Sequence, residues 1–240
     1  MNLANPEIGS APGWPLVLYF HHVSPTLQHY TSLTPDEFRR GLGLVLEQVG
    51  PAIEPAAVAP GFQPPGHPSV LLTFDDGYRD NLVHAAGILD EFDVRVILFC
   101  ITDSIGGSAA NLPSHRRDYL SWADCAEFAG RGHVLAAHSR THPDLTAITA
   151  ERARTEVTDS IATIATVTGR APATFAYPYG RIPDHPVVPR SMLAFGTVKS
   201  PPAPWSQAPH SIRRTYLPSQ DAGNWQALTT EWRRQCLASR

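Results

Sequence analysis

Short apolar runs recur along this chain, and most are followed by a stretch whose apolar residues return on a helical period. The runs at 16–20, 70–74, 94–101, 134–137, 174–177, 193–198 and 212–217 read as buried strands. Between them, Thr34-Pro35-Asp36-Glu37 is a capping box with proline at the first helical position, and Phe38, Leu42, Val45, Leu46 and Val49 keep helical spacing behind it. Leu82, Ala85, Ala86 and Leu89 mark a helix over 81–92, Ser121 caps a short helix ended by Gly130 and Gly132, and 224–237 reads as a terminal helix. Thr149 starts a long amphipathic helix that Gly169 stops at the C′ position. Strands alternating with helices demand a parallel sheet covered by helices. Seven or so strands in 240 residues suit a closed or nearly closed barrel, with residues 1–15 as an irregular lead-in and 16–240 as one domain.

Composition narrows the partners. Apolar residues make up 42% and charged residues 17%, enough for a core and too few charges for a disordered chain. Lys plus Arg number 19 against 22 Asp plus Glu, so there is no basic field for nucleic acid or an anionic membrane. Lys199 is the only lysine, a bias attributable to coding. Cys100, Cys125 and Cys236 are odd in number and far apart, which supports no disulfide framework and fits a reducing compartment. The first apolar run is too short for a signal peptide, and no run reaches a membrane span. A soluble cytoplasmic protein is the expectation.

Two motifs carry chemistry. Thr73-Phe74-Asp75-Asp76-Gly77 closes a buried strand, and the carboxyl ends of strands are where α/β folds bind ligands. Adjacent strand residues point in different directions, so one aspartate can hold a metal while its neighbour faces substrate as a base; the bland reading is a solvated turn. His138 and His142 stand four residues apart in His-Ser-Arg-Thr-His, close enough on one helical turn to share an ion, and Pro143 confines that turn to a loop. With Asp76 they make a two-histidine, one-carboxylate set of the hydrolytic zinc type, open to water and substrate.

TFDDG, then HSRTH, then the loop Tyr177-Pro178-Tyr179-Gly180 resemble the polysaccharide deacetylases, the NodB-homology or carbohydrate esterase family 4 group. Leu18 to Ser24, Leu120-Ser121-Trp122, Gly132-His133 and Arg213-Arg214 resemble further stretches of that family, from about residue 16 to 218. The resemblance implies a distorted (β/α)7 barrel and metal-dependent removal of N-acyl, usually N-acetyl, groups from amino sugars. It implies Asp75 as the base, Asp76, His138 and His142 as ligands of a divalent cation, Zn²⁺ being expected, and the Tyr179 N–H as donor to the oxyanion. Two departures stand out. The family's usual arginine that tethers the base is Ala176 here, with Arg181 as a nearby substitute, and no Leu-x-His follows Gly180. His21, at the end of the first strand, is the preferred general acid, and His210 is its rival.

The expected substrate is a small N-acylated amino sugar or a molecule carrying one, with the Pro-rich segments 51–68 and 201–209 walling the barrel mouth. A deformylase or other small-amide hydrolase on the same fold, and a non-catalytic carbohydrate-binding barrel, are the competing readings. His29, His67, His84, His115 and His185 read as solvated, His133 as packing beside the metal loop, and Trp205 either as a sugar platform or as a loop anchor.

Overall fold

The computed structural model describes residues 6–27, 29–106 and 118–238. In chain order its strands are β1 (Leu16–Phe20), β2 (His22–Val23), β3 (Ser32–Leu33), β4 (Val70–Phe74), β5 (Val96–Cys100), β6 (Val134–Ala137), β7 (Thr174–Ala176) and β8 (Leu193–Phe195). Its α-helices are α1 (Pro35–Gln48), α2 (Ala86–Glu91), α3 (Trp122–Gly130), α4 (Ala150–Thr168) and α5 (Trp225–Leu237). Six strands form one parallel sheet in the order β1-β4-β5-β6-β7-β8, while β2 and β3 pair separately. The sheet curls into an open barrel clothed by helices, the α/β architecture expected from the alternation of elements.

The seventh strand is not one. Residues 212–217 bridge the two sheet edges instead, meeting β8 at Phe195↔Ile212 and β1 at Leu18↔Thr215. Ile212 exchanges bonds with Ala194 and Gly196, and Thr215 with Val17 and Tyr19, at 2.8–3.0 Å. The segment crosses the gap diagonally, so neither edge gains a continuous ladder. Along the strands, side chains alternate between two cores. Leu16, Leu18, Phe20, Leu72 and Leu98 meet the helices, while Val17, Leu71, Ile97, Phe99 and Phe195 fill the barrel.

The capping signals form as spelled. Thr34 N–H donates to Glu37 Oε2 at 2.9 Å and Glu37 N–H to Thr34 Oγ1 at 3.2 Å. Gly169 takes φ 69°, the left-handed cap that ends α4. The helix expected over 81–92 is wider at its start: 81–85 form a π-turn before α2. Asn81 lies fully buried there, and its Nδ2 donates to His21 O at 2.9 Å, fastening the turn to the end of β1.

Both Pro-rich segments lie at the opposite end of the barrel from the one expected. Residues 51–53 bond to Val70, the first residue of β4. Trp205 is buried and packs against Phe62 at 4.9 Å and Trp14 at 5.5 Å, so it anchors its loop and offers no sugar platform. His133 is likewise a packing residue at that end, against Phe128, because it precedes β6 while the histidine loop follows it.

Candidate active site

The carboxyl ends of the strands enclose a cavity of about 420 Å³, within the size range of small-molecule sites. Asp75 and Asp76 enter it from the end of β4, His138 and His142 from the loop after β6, Tyr179 and Gly180 from the loop after β7, and His21 from the end of β1. His210 is not among the lining residues, and neither is any residue of 51–68 or 201–209.

The paired aspartates diverge because the backbone turns between them. Asp76 has φ 72° and Gly77 φ 84°, left-handed values that stop the strand and swing the second carboxylate away from the first. A β-carbon on Gly77 would lie 2.7 Å from the terminal methyl of Ile105, which would have to shift, and the left-handed φ itself favours glycine.

Asp76 Oδ1 lies 3.4 Å from His138 Nε2 and 3.5 Å from His142 Nε2. Ligand atoms about 2.1 Å from an ion at tetrahedral angles stand roughly 3.4 Å apart, so the spacing fits a shared cation. The three donor atoms lie within 4.8 Å of one another, and Asp76 Oδ1 is buried with no hydrogen-bond partner among the described residues. His138 Nδ1 faces Ala176 O at 2.8 Å, a contact that places the proton on Nδ1 and leaves Nε2 bare for coordination. Burial pulls His142 down to about 4, keeping it neutral. Burial opposes charge on Asp76 as well, but His138, His21 and His142 outweigh it and hold the carboxyl far below its usual range.

The histidine loop is not the helical turn its spacing suggests. Ser139 and His142 both take positive φ, 63° and 61°, and Ser139 Oγ accepts from His142 N–H at 3.0 Å. Glu156 of α4 clamps the loop from behind, accepting from Arg140 N–H, Thr141 N–H and Thr141 Oγ at 2.7–3.1 Å. A signal for Glu156 existed in the sequence: it breaks the apolar stripe of α4 beside Val157.

Asp75 is tethered, though by neither residue considered above. Arg214 Nη1 donates to Asp75 Oδ1 at 2.6 Å and Nη2 to Oδ2 at 2.8 Å, a bidentate pair. Arg214 Nε donates to Gly196 O at 2.7 Å, and the guanidinium lies 5.0 Å from the Tyr19 ring. Burial raises the Asp75 carboxyl, and the Arg214 charge and hydrogen bonds overcome it and keep it ionised. Arg181 instead pairs with Asp144 and lies over the Tyr179 ring. Of the two departures that favour a non-catalytic barrel, the arginine absent at Ala176 and the missing Leu-x-His, Arg214 removes the first.

His21 Nδ1 meets Thr31 Oγ1 at 3.1 Å, and burial lowers its pKa against the pull of Asp76 and Asp75. His29 is an exposed loop histidine that also lines the cavity, with Nδ1 on Thr31 Oγ1 at 2.9 Å. His185 has its Nε2 buried, and His115 lies outside the described residues. Tyr179 has φ 58° and its ring stands edge-on to His142 at 4.6 Å.

The polysaccharide deacetylase family model matches residues 62–189, more than half of the chain. This chain belongs to the polysaccharide deacetylase family. It is 28% identical over 117 residues to YxkH of Bacillus subtilis, provisionally named a polysaccharide deacetylase; the match spans 49% of this chain and 39% of that protein. The fold is shared with solved structures. The Streptococcus pyogenes deacetylase PplD, in complex with acetate, superimposes with a TM-score of 0.72 at 22% identity over 93% of this chain and 98% of its own. IcaB from Ammonifex degensii gives 0.70 at 21% identity, over 94% and 100%. In a family of deacetylases the cavity at the strand ends is the candidate active site, and Asp76, His138 and His142 form its possible metal site.

Proposed function

We propose that the chain is a metal-dependent hydrolase that removes an N-acyl group, N-acetyl first, from a small amino sugar or a molecule carrying one. One observation carries this reading: in a single cavity, an aspartate held ionised by Arg214 adjoins a convergent Asp76–His138–His142 set. The donor set suits Zn²⁺, which when bound supplies Lewis-acid polarisation of the amide carbonyl and a lowered pKa for water.

The chain's own residues do the rest. Asp75 accepts the proton of the attacking water, its orientation fixed by the two-pronged grip of Arg214. The Tyr179 N–H donates to the oxygen that gains negative charge as the carbonyl carbon becomes tetrahedral. His21, with Nδ1 engaged by Thr31, delivers a proton through Nε2 to the nitrogen as the C–N bond breaks, releasing amine and carboxylate. The cavity of about 420 Å³ has room for a small amino sugar.

The test is amine release from N-acetyl sugars by the zinc-loaded protein, with metal content measured in parallel. Asp76→Asn and His138→Ala lose metal and activity together. Asp75→Asn retains metal but loses more than about tenfold in kcat, or roughly 1.4 kcal/mol of barrier. Full metal retention in Asp76→Asn and His138→Ala refutes the ligand set. A kcat/KM that climbs steeply from monosaccharide to longer N-acetylglucosamine oligomers refutes the small substrate.

A further inference from the structure

One wall of the cavity ends in the chain's only lysine. Tyr19, Tyr30, Val198 and Lys199 all line the cavity. Tyr19, Val198 and Tyr216 pack as one buried cluster, and Tyr30 stands edge-on to Tyr216 at 5.4 Å while remaining 44% exposed. Tyr30 is the exposed ring of this group, and it offers an apolar face with a polar tip, the kind of surface on which the C–H face of a sugar ring lies.

Lys199 follows directly from that surface, and its backbone is fixed. The buried Arg213 donates to the carbonyls on both sides of it, Val198 O and, at 2.7 Å, Ser200 O, and also to Ile8 O at 3.0 Å. Ser200 N–H closes the turn onto Thr197 O at 3.0 Å. The exposed Lys199 side chain is thus carried on a turn whose backbone is pinned beside the cavity. Of the two carboxylates there, Asp75 is matched by Arg214, whereas Asp76 faces the imidazoles of His138 and His142. Lys199 makes no ion pair among the described residues. A concave, weakly polarisable wall focuses the field of an unmatched cation on whatever occupies the cavity. Lysine is also the compact, rotatable point charge of the two cations, suited to a single phosphate or carboxylate.

We propose that Lys199 is an anion subsite, so that the substrate is an amino sugar bearing a phosphate or carboxylate beyond its amide, with the ring against Tyr30. The assignment of substrate class rests on the amide-hydrolase reading, whereas binding at the subsite does not require turnover.

The experiment measures binding by calorimetry and turnover by amine release, separately, for N-acetylglucosamine, its 6-phosphate and its 6-uronic acid. Wild type, Lys199→Ala and Lys199→Arg are compared, each checked for folding by its melting temperature. Wild type should bind at least one acidic sugar about tenfold more tightly than the neutral one. The preference should shrink as salt is raised, fall below about twofold in Lys199→Ala and persist in Lys199→Arg. The phosphate and uronate arms show which anion fits. No preference in wild type, or an undiminished one in Lys199→Ala, overturns the subsite. Hydrolysis without charge preference rejects the subsite and keeps the hydrolase. Lys199-dependent binding with no hydrolysis of any sugar keeps the subsite and rejects the hydrolase.

Discussion

Arg214 has 1% of its surface exposed and spends its guanidinium on Asp75 and the Gly196 carbonyl. A buried carboxylate costs several kcal/mol unless matched, so the arginine is as much a condition for an ionised Asp75 as a support for its orientation. Arg214→Ala should lower stability by about 3–5 kcal/mol in urea denaturation, since it strands a buried charge. Arg214→Lys should retain more of the stability but lose the two-pronged geometry, lowering kcat more than it raises KM. If Arg214→Lys matches wild type in kcat, the tether does not serve catalysis. The sequence allowed Asp75 to be singled out but left its partner open. Asp75 and Arg214 are 139 residues apart, and only closure of the sheet edges by 212–215 brings them together.

At the scale of elements, a helix outside the barrel sets the shape of the metal loop. Glu156 projects from the buried face of α4 and takes three hydrogen bonds from Arg140 and Thr141. Those bonds hold a loop in which two non-glycine residues have positive φ, a conformation that persists only under such restraint. Glu156→Ala should weaken metal affinity by roughly 10–100-fold, as loss of outer partners of metal ligands does. Its far-ultraviolet circular dichroism should match wild type, because α4 keeps its Thr149 cap and its Gly169 stop. Unaltered zinc affinity would mean that the loop holds itself. The caps, stops and apolar periods of the helices were legible because each depends on residues within one turn. The π-turn at 81–85 was not, because Asn81 is drawn by the His21 carbonyl from another element.

At the scale of the molecule, the two ends of the barrel do different work. At the far end His133 is buried against Phe128, with Nδ1 accepting from Val96 N–H at 3.3 Å. Burial, aided by the Arg95 guanidinium, pulls this histidine down to about 4. An unfolded chain binds the same proton near pH ~6.5, so protonation favours unfolding. The contribution of neutral His133 is whole above ~6.5 and is lost as the pH falls toward 4, at about 1.4 kcal/mol per pH unit. His133→Phe should therefore melt lower at pH 8, having lost the Val96 bond, yet show a flatter melting profile between ~6.5 and 4. A variant as acid-sensitive as wild type over that range would place the sensitivity elsewhere.

The sequence by itself determined the alternation of strand and helix, the two aspartates at a strand end, the histidine pair and the family they signal. These are local facts: hydrophobic period, capping chemistry and ligand type are written in neighbouring residues. Tertiary structure decided the rest. It showed that 212–217 closes the sheet as two bridges, that Arg214 grips Asp75, that His29 joins the cavity while His210 stays out of it, and that the Pro-rich segments cover the far end. It also gave the lone lysine a place beside the candidate site. Each of these depends on which distant segments a curled parallel sheet brings side by side. No residue carries that information alone, because it arises from the register and closure of the whole sheet.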